Sequence, residues 1–332
     1  MQDMIDFVVT WVNGSDESWI KERARYLPQT KEQDLRGVQR YRDWDLMRYW
    51  FRGVEKYASW VHKIYFITCG QKPEWLNLDC PKLKLIKHSD YMPKDALPTF
   101  NSNAIEMRIH NIKGLSENFV LFNDDFFIID EINPDIFFKN GNPCDYAAFD
   151  ALTPNQDFEY IRMNNVKIIN QNFTKRKVLQ NNFRKWFNLK DIKSLYRTLV
   201  LLKPWNTFTG FRDYHGPIAY CKKSFEELWE IMPELLEETV YHRFRTKEDY
   251  SHWLFRYWRN AKGEFVPQSQ KMCGYFVLKD DDCSKAYHMI AEQKKKILCI
   301  NDEFYSEDYQ YAQSQLKAGF EKILSQKSTF EI

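Results

Sequence analysis

The sequence predicts an α/β protein built on a mainly parallel sheet. Three short runs rich in β-branched and apolar residues, 5–12, 63–69 and 83–87, are typical of buried strands. Between the first two runs, from residue 44 onward, apolar residues recur at three- and four-residue steps, which predicts a helix. Strand, helix and strand at this spacing indicate βαβ units, in which helices join parallel strands.

Length and composition limit the possible classes of function. The chain has 332 residues, 44% of them hydrophobic, enough to bury a large core in one large domain or two closely packed ones. The net charge is only +2, whereas nucleic-acid-binding domains are usually strongly basic, so we expect no nucleic-acid partner. Aromatic residues reach 17%, which fits a glycan site, although most of these rings are expected in the core.

Cysteine usage and the N-terminal residues bear on location. The seven cysteines show neither a CxxC pair nor zinc-ligand spacing, so we expect reduced thiols. The start, MQDMIDFVV, lacks the basic region of a signal peptide, and no apolar run approaches the ~20 residues needed to span a bilayer. The sequence therefore predicts a cytoplasmic protein, either free or peripheral at the inner face of the membrane.

The first strand and the following helix each carry a candidate binding feature. The strand ends in the turn Asn13-Gly14-Ser15-Asp16, at the edge of an α/β sheet where ligands bind, although Asn-Gly is also a common turn dipeptide. Arg48 and Arg52 are four residues apart and share one face of the helix. Two guanidinium groups on one face suit a diphosphate, and the alternative is a solvated basic face.

Adjacent carboxylates follow a further buried strand, 119–122. The strand ends in Asn123-Asp124-Asp125, and burying such charges costs several kcal/mol unless they are paired or bind a metal. The two aspartates would hold a divalent cation or receive a sugar or phosphate group, and the alternative is a simple turn.

A helix predicted to start near Asn101 carries Glu106 on a face different from its apolar stripe. Glu106 is a candidate for the active site, but Asn103 to Glu106 also has the spacing of a capping box. The apolar stripe of this helix consists of Ala104, Ile105, Arg108, Ile109 and Ile112.

The segment 155–203 is the most basic part of the chain. It holds 11 Lys and Arg against 3 Asp and Glu, an excess of 8 positive charges. Such a segment is either a solvated helical insertion or a surface that meets anionic lipid or a lipid-diphosphate-linked glycan, and neutralising Lys175-Arg176-Lys177 would test the second alternative.

Two later stretches complete the candidate site. His215 precedes Gly216-Pro217 in a turn, and a histidine with a pKa near ~6.5 can accept a proton at neutral pH. A short strand, 297–300, leads to Asn301-Asp302, a further position for a metal or diphosphate ligand.

Four blocks of this sequence together closely resemble the Stealth family. They are IDFVVTWVNGSD at 5–16, residues 40–128 with the LPTFNS and FNDD segments, HGP at 215–217 with VYHRFRTKED at 240–249, and KKILCINDE at 295–303. They cover about half of the chain in the family's order, which is far more specific than one short motif. The family includes bacterial capsule hexose-1-phosphate transferases and the eukaryotic N-acetylglucosamine-1-phosphotransferase.

The resemblance implies a fold and a reaction. It implies a GT-A-like nucleotide-sugar-binding sheet at 1–130, a basic variable insertion at 131–214, and a helical part with a final strand at 215–332 that completes the active site. The implied enzyme moves a hexose- or N-acetylhexosamine-1-phosphate from a UDP-sugar to a hydroxyl of a lipid-linked or oligosaccharide acceptor, forms a phosphodiester and releases UMP.

The resemblance also implies roles for residues. His215 would be the general base, Arg245 would clamp the transferring phosphate, and Glu106 would position the acceptor or share the proton work. Asp124, Asp125 and Asp302 would hold Mg²⁺ or Mn²⁺. The implied contacts to the nucleotide donor are Asn13, Gly14, Asp16, Arg48, Arg52, Gln71, Asn101 and Ser102.

The sequence departs from the family pattern at a few positions and leaves alternatives open. The family usually has an acidic residue and a serine where this chain has Leu46 and Trp50. A metal-dependent GT-A glycosyltransferase that releases UDP would use the same fold and donor. A non-catalytic glycan-binding module would explain the aromatic residues but not the acidic pairs, His215 and Arg245.

Overall fold

The strands of this protein form three sheets. The computed structural model describes residues 4–27, 41–279, 283–304 and 309–332. The strands within these ranges are β1 (Ile5–Thr10), β2 (Ile64–Thr68), β3 (Leu83–Lys87), β4 (Asn118–Phe122), β5 (Phe126–Ile128), β6 (Phe138–Lys139), β7 (Asn142–Asp145), β8 (Ile218–Cys221), β9 (Val266–Pro267), β10 (Cys273–Leu278) and β11 (Ile297–Asp302).

Helices surround these sheets. The α-helices of the described ranges are α1 (Glu17–Tyr26), α2 (Met47–Tyr57), α3 (Ser102–Met107), α4 (Asp157–Asn172), α5 (Lys175–Asn181), α6 (Phe183–Trp186), α7 (Ile192–Val200), α8 (Lys222–Ile231), α9 (Pro233–Tyr241), α10 (Trp253–Lys262), α11 (Cys283–Ala291) and α12 (Gln310–Ile323).

The largest sheet confirms the predicted α/β fold with a mainly parallel sheet. Its strand order is β3-β2-β1-β4-β8. The first four strands are parallel, with Val8 of β1 beside Tyr65 of β2 and Leu121 of β4, and β8 is antiparallel to β4. The turns after β1, β2 and β4 therefore lie at one edge of the sheet.

A second sheet brings the C-terminal part of the chain to that edge. β11 pairs in parallel with β10 and antiparallel with β5, so Cys299 lies beside Phe126. The backbone N–H of Ile300 donates to the carbonyl oxygen of Asp125 at 2.9 Å, which fixes the carboxylate turn against β11. The third sheet, β6-β7-β9, is small.

Alternation along the strands creates two hydrophobic cores. Phe7 and Val9 of β1 point into one core, which contains Trp50 of α2 and Phe320 of α12. Val8 points into the other core, which includes residues of α4, α8 and α10. Phe7 is completely buried 4.7 Å from the ring of Phe122, and burial of one such side chain contributes about 2 kcal/mol.

The helix predicted from Asn101 is shorter than its apolar stripe suggested. α3 ends at Met107, and Ile109–Asn111 form a 3₁₀ turn. In a longer helix the carbonyl of Met107 would accept from Asn111. Here that carbonyl accepts from the indole of Trp229 at 3.0 Å, and the N–H of Asn111 turns to Arg108.

The division into segments 1–130, 131–214 and 215–332 stays a prediction. Strands from the first segment pair with strands of the last in both larger sheets. In the described part of the chain, no helix combines the length and apolar character that a membrane crossing requires.

Candidate active site

The turn between β4 and β5 presents two aspartates at the ligand-binding edge of the sheet. Oδ2 of Asp125 accepts a hydrogen bond from the thiol of Cys299 at 3.3 Å. Oδ1 of Asp125 is buried and has no hydrogen-bond partner among the described residues. Asp124 is accessible to solvent, although protein surrounds it on most sides.

The electrostatics of this turn favour binding of a cation. The pKa of Asp124 is raised to about 8, mainly by burial. The nearby negative charges of Asp125 and Asp43 contribute to this rise. Burial also raises the pKa of Asp125 to about 6. Carboxylates that are costly to ionise become stable as anions when a divalent cation lies between them.

Asp43 is a part of the site that the sequence did not reveal. It lies just before α2, accepts from the N–H of Asp45 at 2.8 Å, and has its own pKa raised by burial. The family pattern has an acidic residue near Leu46, and Asp43, three residues earlier, lies close enough to raise the pKa of Asp124. The absence of an acidic residue at Leu46 was therefore the feature of the sequence that could have pointed to Asp43.

Glu106 is a buried acid at the same edge. Burial raises its pKa to about 7, and the charge of Arg245 acts in the opposite direction. Nε2 of His252 lies 3.7 Å from Oε2 of Glu106. The capping-box interpretation is wrong, because Asn101 caps α3 by accepting from the N–H of Asn103 at 3.0 Å.

The positive charge of Arg245 acts on both Glu106 and Asp124. This charge lowers the pKa of both acids, so the guanidinium is near each of them. The guanidinium donates to the hydroxyl of Ser102 at the start of α3. Stacking of Phe244 on Phe100, with ring centres 5.1 Å apart, holds the two backbone segments together. The structure thus brings together four of the predicted site residues: Glu106, Asp124, Arg245 and Ser102.

His215 is connected to Asp125 through Tyr275 and Cys299. Its ring centre lies 4.2 Å from that of Tyr275, which is paired in the sheet with Cys299, the partner of Asp125. The side chain is exposed to solvent. The surrounding protein and the charge of Arg162 lower the pKa of His215, so the ring is neutral at pH 7 and can accept a proton.

The predicted third metal ligand is directed elsewhere. Asp302 accepts from the indole of Trp44 at 3.0 Å and pairs with Arg42 at 3.3 Å. Within the described residues no three His, Cys, Asp or Glu side chains form a group that could hold a metal ion. Asp302 is therefore a structural anion. Asp124 and Asp125 keep the features of cation ligands, since Oδ1 of Asp125 is without a partner and carboxylate oxygens suit Mg²⁺ and Mn²⁺.

The turns after β1 and β2 form one continuous surface. The backbone N–H of Asn13 donates to the side chain of Gln71 at 2.9 Å, and the Gln71 amide donates back to the Asn13 carbonyl at 3.0 Å. A side chain at Gly14 would clash with the carbonyl oxygen of Tyr41, so only glycine fits there. Asp16 caps α1 through the N–H of Trp19 at 2.8 Å. The nucleotide contacts predicted here stay predictions.

Two residues predicted to contact the donor are structural. Arg52 is 6% exposed and donates to both carboxylate oxygens of Glu331, at 2.8 and 2.9 Å, and to Glu321 at 3.1 Å. Its guanidinium is thus not available to a diphosphate. Asn101 is fully buried and donates to Asp249 at 2.8 Å. Arg48 lies over the ring of Trp75 at 5.5 Å and is partly exposed.

Comparison with known proteins agrees with this geometry. The family model described as Stealth protein CR2, conserved region 2, matches residues 40–145. The model described as Stealth protein CR1, conserved region 1, matches residues 4–31. These ranges contain the carboxylate turn, Glu106 and the turn after β1.

Three relatives match over almost the whole chain. The capsular polysaccharide phosphotransferase WcwK of Streptococcus pneumoniae is 43% identical over 99% of this chain and 98% of its own. The exopolysaccharide phosphotransferase cps2G of Lactiplantibacillus plantarum is 41% identical over 98% and 96%. The receptor polysaccharide phosphotransferase WefC of Streptococcus gordonii is 36% identical over 100% of both chains.

These relationships, which extend over almost the whole chain, show that it is a phosphotransferase. It belongs to the Stealth family.

Proposed function

We propose that this chain transfers a hexose- or N-acetylhexosamine-1-phosphate from a UDP-sugar to a hydroxyl of a growing capsular or other cell-surface polysaccharide, with release of UMP. The observation that carries the proposal is the position of Arg245, whose charge acts on both Glu106 and Asp124. A guanidinium whose charge acts on two acids, at the edge of the sheet where ligands bind, is suited to hold a transferring phosphate.

Donor binding would use the turns at the sheet edge. Asp124 and Asp125 would hold Mg²⁺ or Mn²⁺, which would supply charge neutralisation on the diphosphate of the donor. The turns with Asn13 and Gln71, which are bonded to each other, would form the surface against which the nucleotide lies. Of the two arginines of α2, Arg48 has the partly exposed guanidinium and would contact the donor.

His215 supplies the base for the transfer. Its neutral ring removes the proton from the acceptor hydroxyl, and the oxygen attacks the phosphorus that carries the sugar. The bond from that phosphorus to the bridging oxygen breaks, and UMP leaves with the electron pair. Arg245 holds the charge that develops on the phosphoryl oxygens, and Glu106 positions the acceptor or shares the proton.

The nucleotide product tests the proposal. The purified chain is incubated with Mg²⁺ or Mn²⁺, a panel of UDP-sugars and an oligosaccharide acceptor, and the nucleotides are separated. UMP together with a phosphorus-containing glycan is the expected result. UDP would mean attack at the anomeric carbon and make the protein a glycosyltransferase, and the absence of both over a wide panel would favour a glycan-binding module.

Two substitutions test the assignment of residues. His215→Ala removes the base and should lower kcat by about 10²- to 10⁴-fold. Asp125→Asn should remove turnover and the dependence on divalent cation, with the circular dichroism spectrum unchanged. Turnover close to that of the native chain in either variant would contradict the role of that residue.

A further inference from the structure

Helix α7 buries polar side chains and exposes large apolar ones, the opposite of the usual arrangement. Its small polar residues, Ser194 and Thr198, are completely buried. Its large apolar residues face solvent: Ile192, Tyr196, Leu199 and Val200 are 66%, 70%, 50% and 53% exposed. Leu189 before the helix and Trp205 after it are exposed as well, at 78% and 48%. The exposed residues 192, 196, 199 and 200 form one stripe along the helix.

The buried polar residues show that this orientation is fixed. The hydroxyl of Ser194 is bonded to that of Tyr214 at 2.8 Å and accepts from Arg212 at 2.9 Å. The hydroxyl of Thr198 accepts from the N–H of Phe149 at 3.1 Å. Rotation of α7 to bury the apolar stripe would leave these polar groups without partners, at a cost of about 1–3 kcal/mol each.

The charges around the stripe indicate what covers it. The stretch 183–205 contains six Lys and Arg and a single acidic residue, Asp191. Asp191 is buried as the N-cap of α7, where it accepts from the N–H of Ser194. Lys190, Lys193, Arg197 and Lys203 are exposed beside the stripe. Arg197 also pairs with Asp150 at 3.3 Å, so the border of the stripe keeps a net positive charge from the other three residues. An apolar face with a mainly basic border suits an anionic lipid surface, whereas two copies of the same basic face would repel each other.

Of the basic residues Lys175-Arg176-Lys177, the last two are exposed, whereas Lys175 has a structural role. Lys175 is buried and its ammonium donates to the carbonyls of Leu201, Leu202 and Trp205 at 2.8–3.1 Å. Lys175 therefore stabilises the backbone that follows α7 and is not available to a ligand on the surface.

From this arrangement we propose that α7, with Leu189 and Trp205, docks the protein in the plane of an anionic bilayer. Apolar side chains enter the boundary between headgroups and acyl chains, and the flanking basic residues contact the headgroups. Tyr214, whose hydroxyl is hydrogen-bonded to that of Ser194, immediately precedes His215. Docking through α7 therefore places the candidate base close to the membrane surface, where a lipid-linked acceptor would lie.

Vesicle binding of the complete chain tests this proposal. Vesicles of phosphatidylcholine alone are compared with vesicles that also contain phosphatidylglycerol, by co-sedimentation at low and high salt. We expect binding to the anionic vesicles that weakens with salt. The combined variant Ile192→Gln, Tyr196→Gln and Leu199→Gln should bind at least about tenfold more weakly.

Two further variants make the test specific. Ile231→Gln, Tyr241→Gln and Tyr311→Gln remove equally exposed apolar side chains elsewhere and should leave vesicle binding unchanged. Lys193→Gln with Lys203→Gln should weaken binding to anionic vesicles and reduce its salt dependence.

Other results would overturn the proposal. They are undiminished vesicle binding by the α7 variant, an equal loss in the control variant, or a dimer of the native chain that the α7 variant converts to a monomer. The assay contains no nucleotide or acceptor, so its outcome is independent of the proposed sugar-phosphate transfer.

Discussion

The thiol of Cys299 donates a hydrogen bond to Oδ2 of Asp125 at 3.3 Å. The two residues are 174 positions apart and meet because β11 pairs with β5. Cys299 is buried, and contact with the carboxylate further raises the pKa of its thiol, so it remains a neutral donor. A structural cysteine thus sets both the orientation and the protonation of a candidate cation ligand.

Replacement of Cys299 should shift the pH dependence of the enzyme. Burial raises the pKa of Asp125 to about 6, and the Cys299 thiol partly offsets that rise. Cys299→Ala removes the donor, so the pKa of Asp125 should rise further and the acidic limb of the kcat/KM profile should move to higher pH. Cys299→Ser keeps a donor and should leave the profile close to that of the native chain. An unchanged profile in Cys299→Ala would show that Asp125 is not the group that titrates.

Substitution of Arg245 should affect turnover more than donor affinity. The side chain is held by Ser102 and lies near Glu106 and Asp124, where charge would develop during phosphate transfer. Arg245→Lys keeps the charge but loses the planar pair of donors, so kcat should fall by about 10²-fold with a smaller change in KM. Lys247→Ala, two residues away on an exposed side chain, is the matched control. A rise in KM alone would place Arg245 in ground-state binding.

Strand positions were accessible from the sequence, because buried parallel strands are short continuous apolar runs. Phe119 to Phe122 is such a run, and the structure has a strand there that ends directly before the turn with Asp124 and Asp125. Glu106 and Arg245 were found through the family pattern, and the structure brings their charges together.

Hydrogen-bond and ion-pair partners that are distant in the chain could not be predicted from the sequence. Arg52 looked like a diphosphate ligand because its helical neighbours are visible in the sequence, whereas its partner Glu331 is 279 residues away. Asp302 and Asn101 were misjudged for the same reason, since Arg42 and Asp249 already bind them. For the segment 155–203 the sequence predicted a solvated insertion or a lipid-facing surface, but it did not show which apolar residues of α7 are exposed, because the inward contacts of the helix are long-range.

Glu106→Gln should stabilise the fold at alkaline pH while it removes activity. The folded-state pKa of Glu106 is about 7, above its ordinary value of 4.5. An acid with a raised pKa costs no stability below pH 4.5, an increasing amount from pH 4.5 to 7, and a constant amount above pH 7. Glutamine does not ionise, so the variant should gain about 3 kcal/mol in unfolding free energy at pH 8 and almost nothing at pH 4.5.

Urea unfolding at the two pH values measures this difference. Leu78→Gln, an exposed position, serves as a control without pH dependence. An equal effect of Glu106→Gln at both pH values would mean that the carboxyl group is already charged, and paired, in the native protein.

Arg52→Ala should destabilise the protein without a specific effect on the donor. The substitution leaves Glu331, which is 9% exposed, as an unpaired buried carboxylate, and loss of one partner from such a pair costs about 3–5 kcal/mol. The double variant Arg52→Leu with Glu331→Leu removes both charges and should recover most of the stability. Arg48→Ala provides the contrast, because we expect it to raise the KM for the UDP-sugar with little change in stability. Denaturant unfolding and donor KM for the three variants separate the two roles. The double variant lacks the guanidinium but keeps the packing of α2 against α12. A large rise in its donor KM would therefore show that Arg52 contacts the diphosphate.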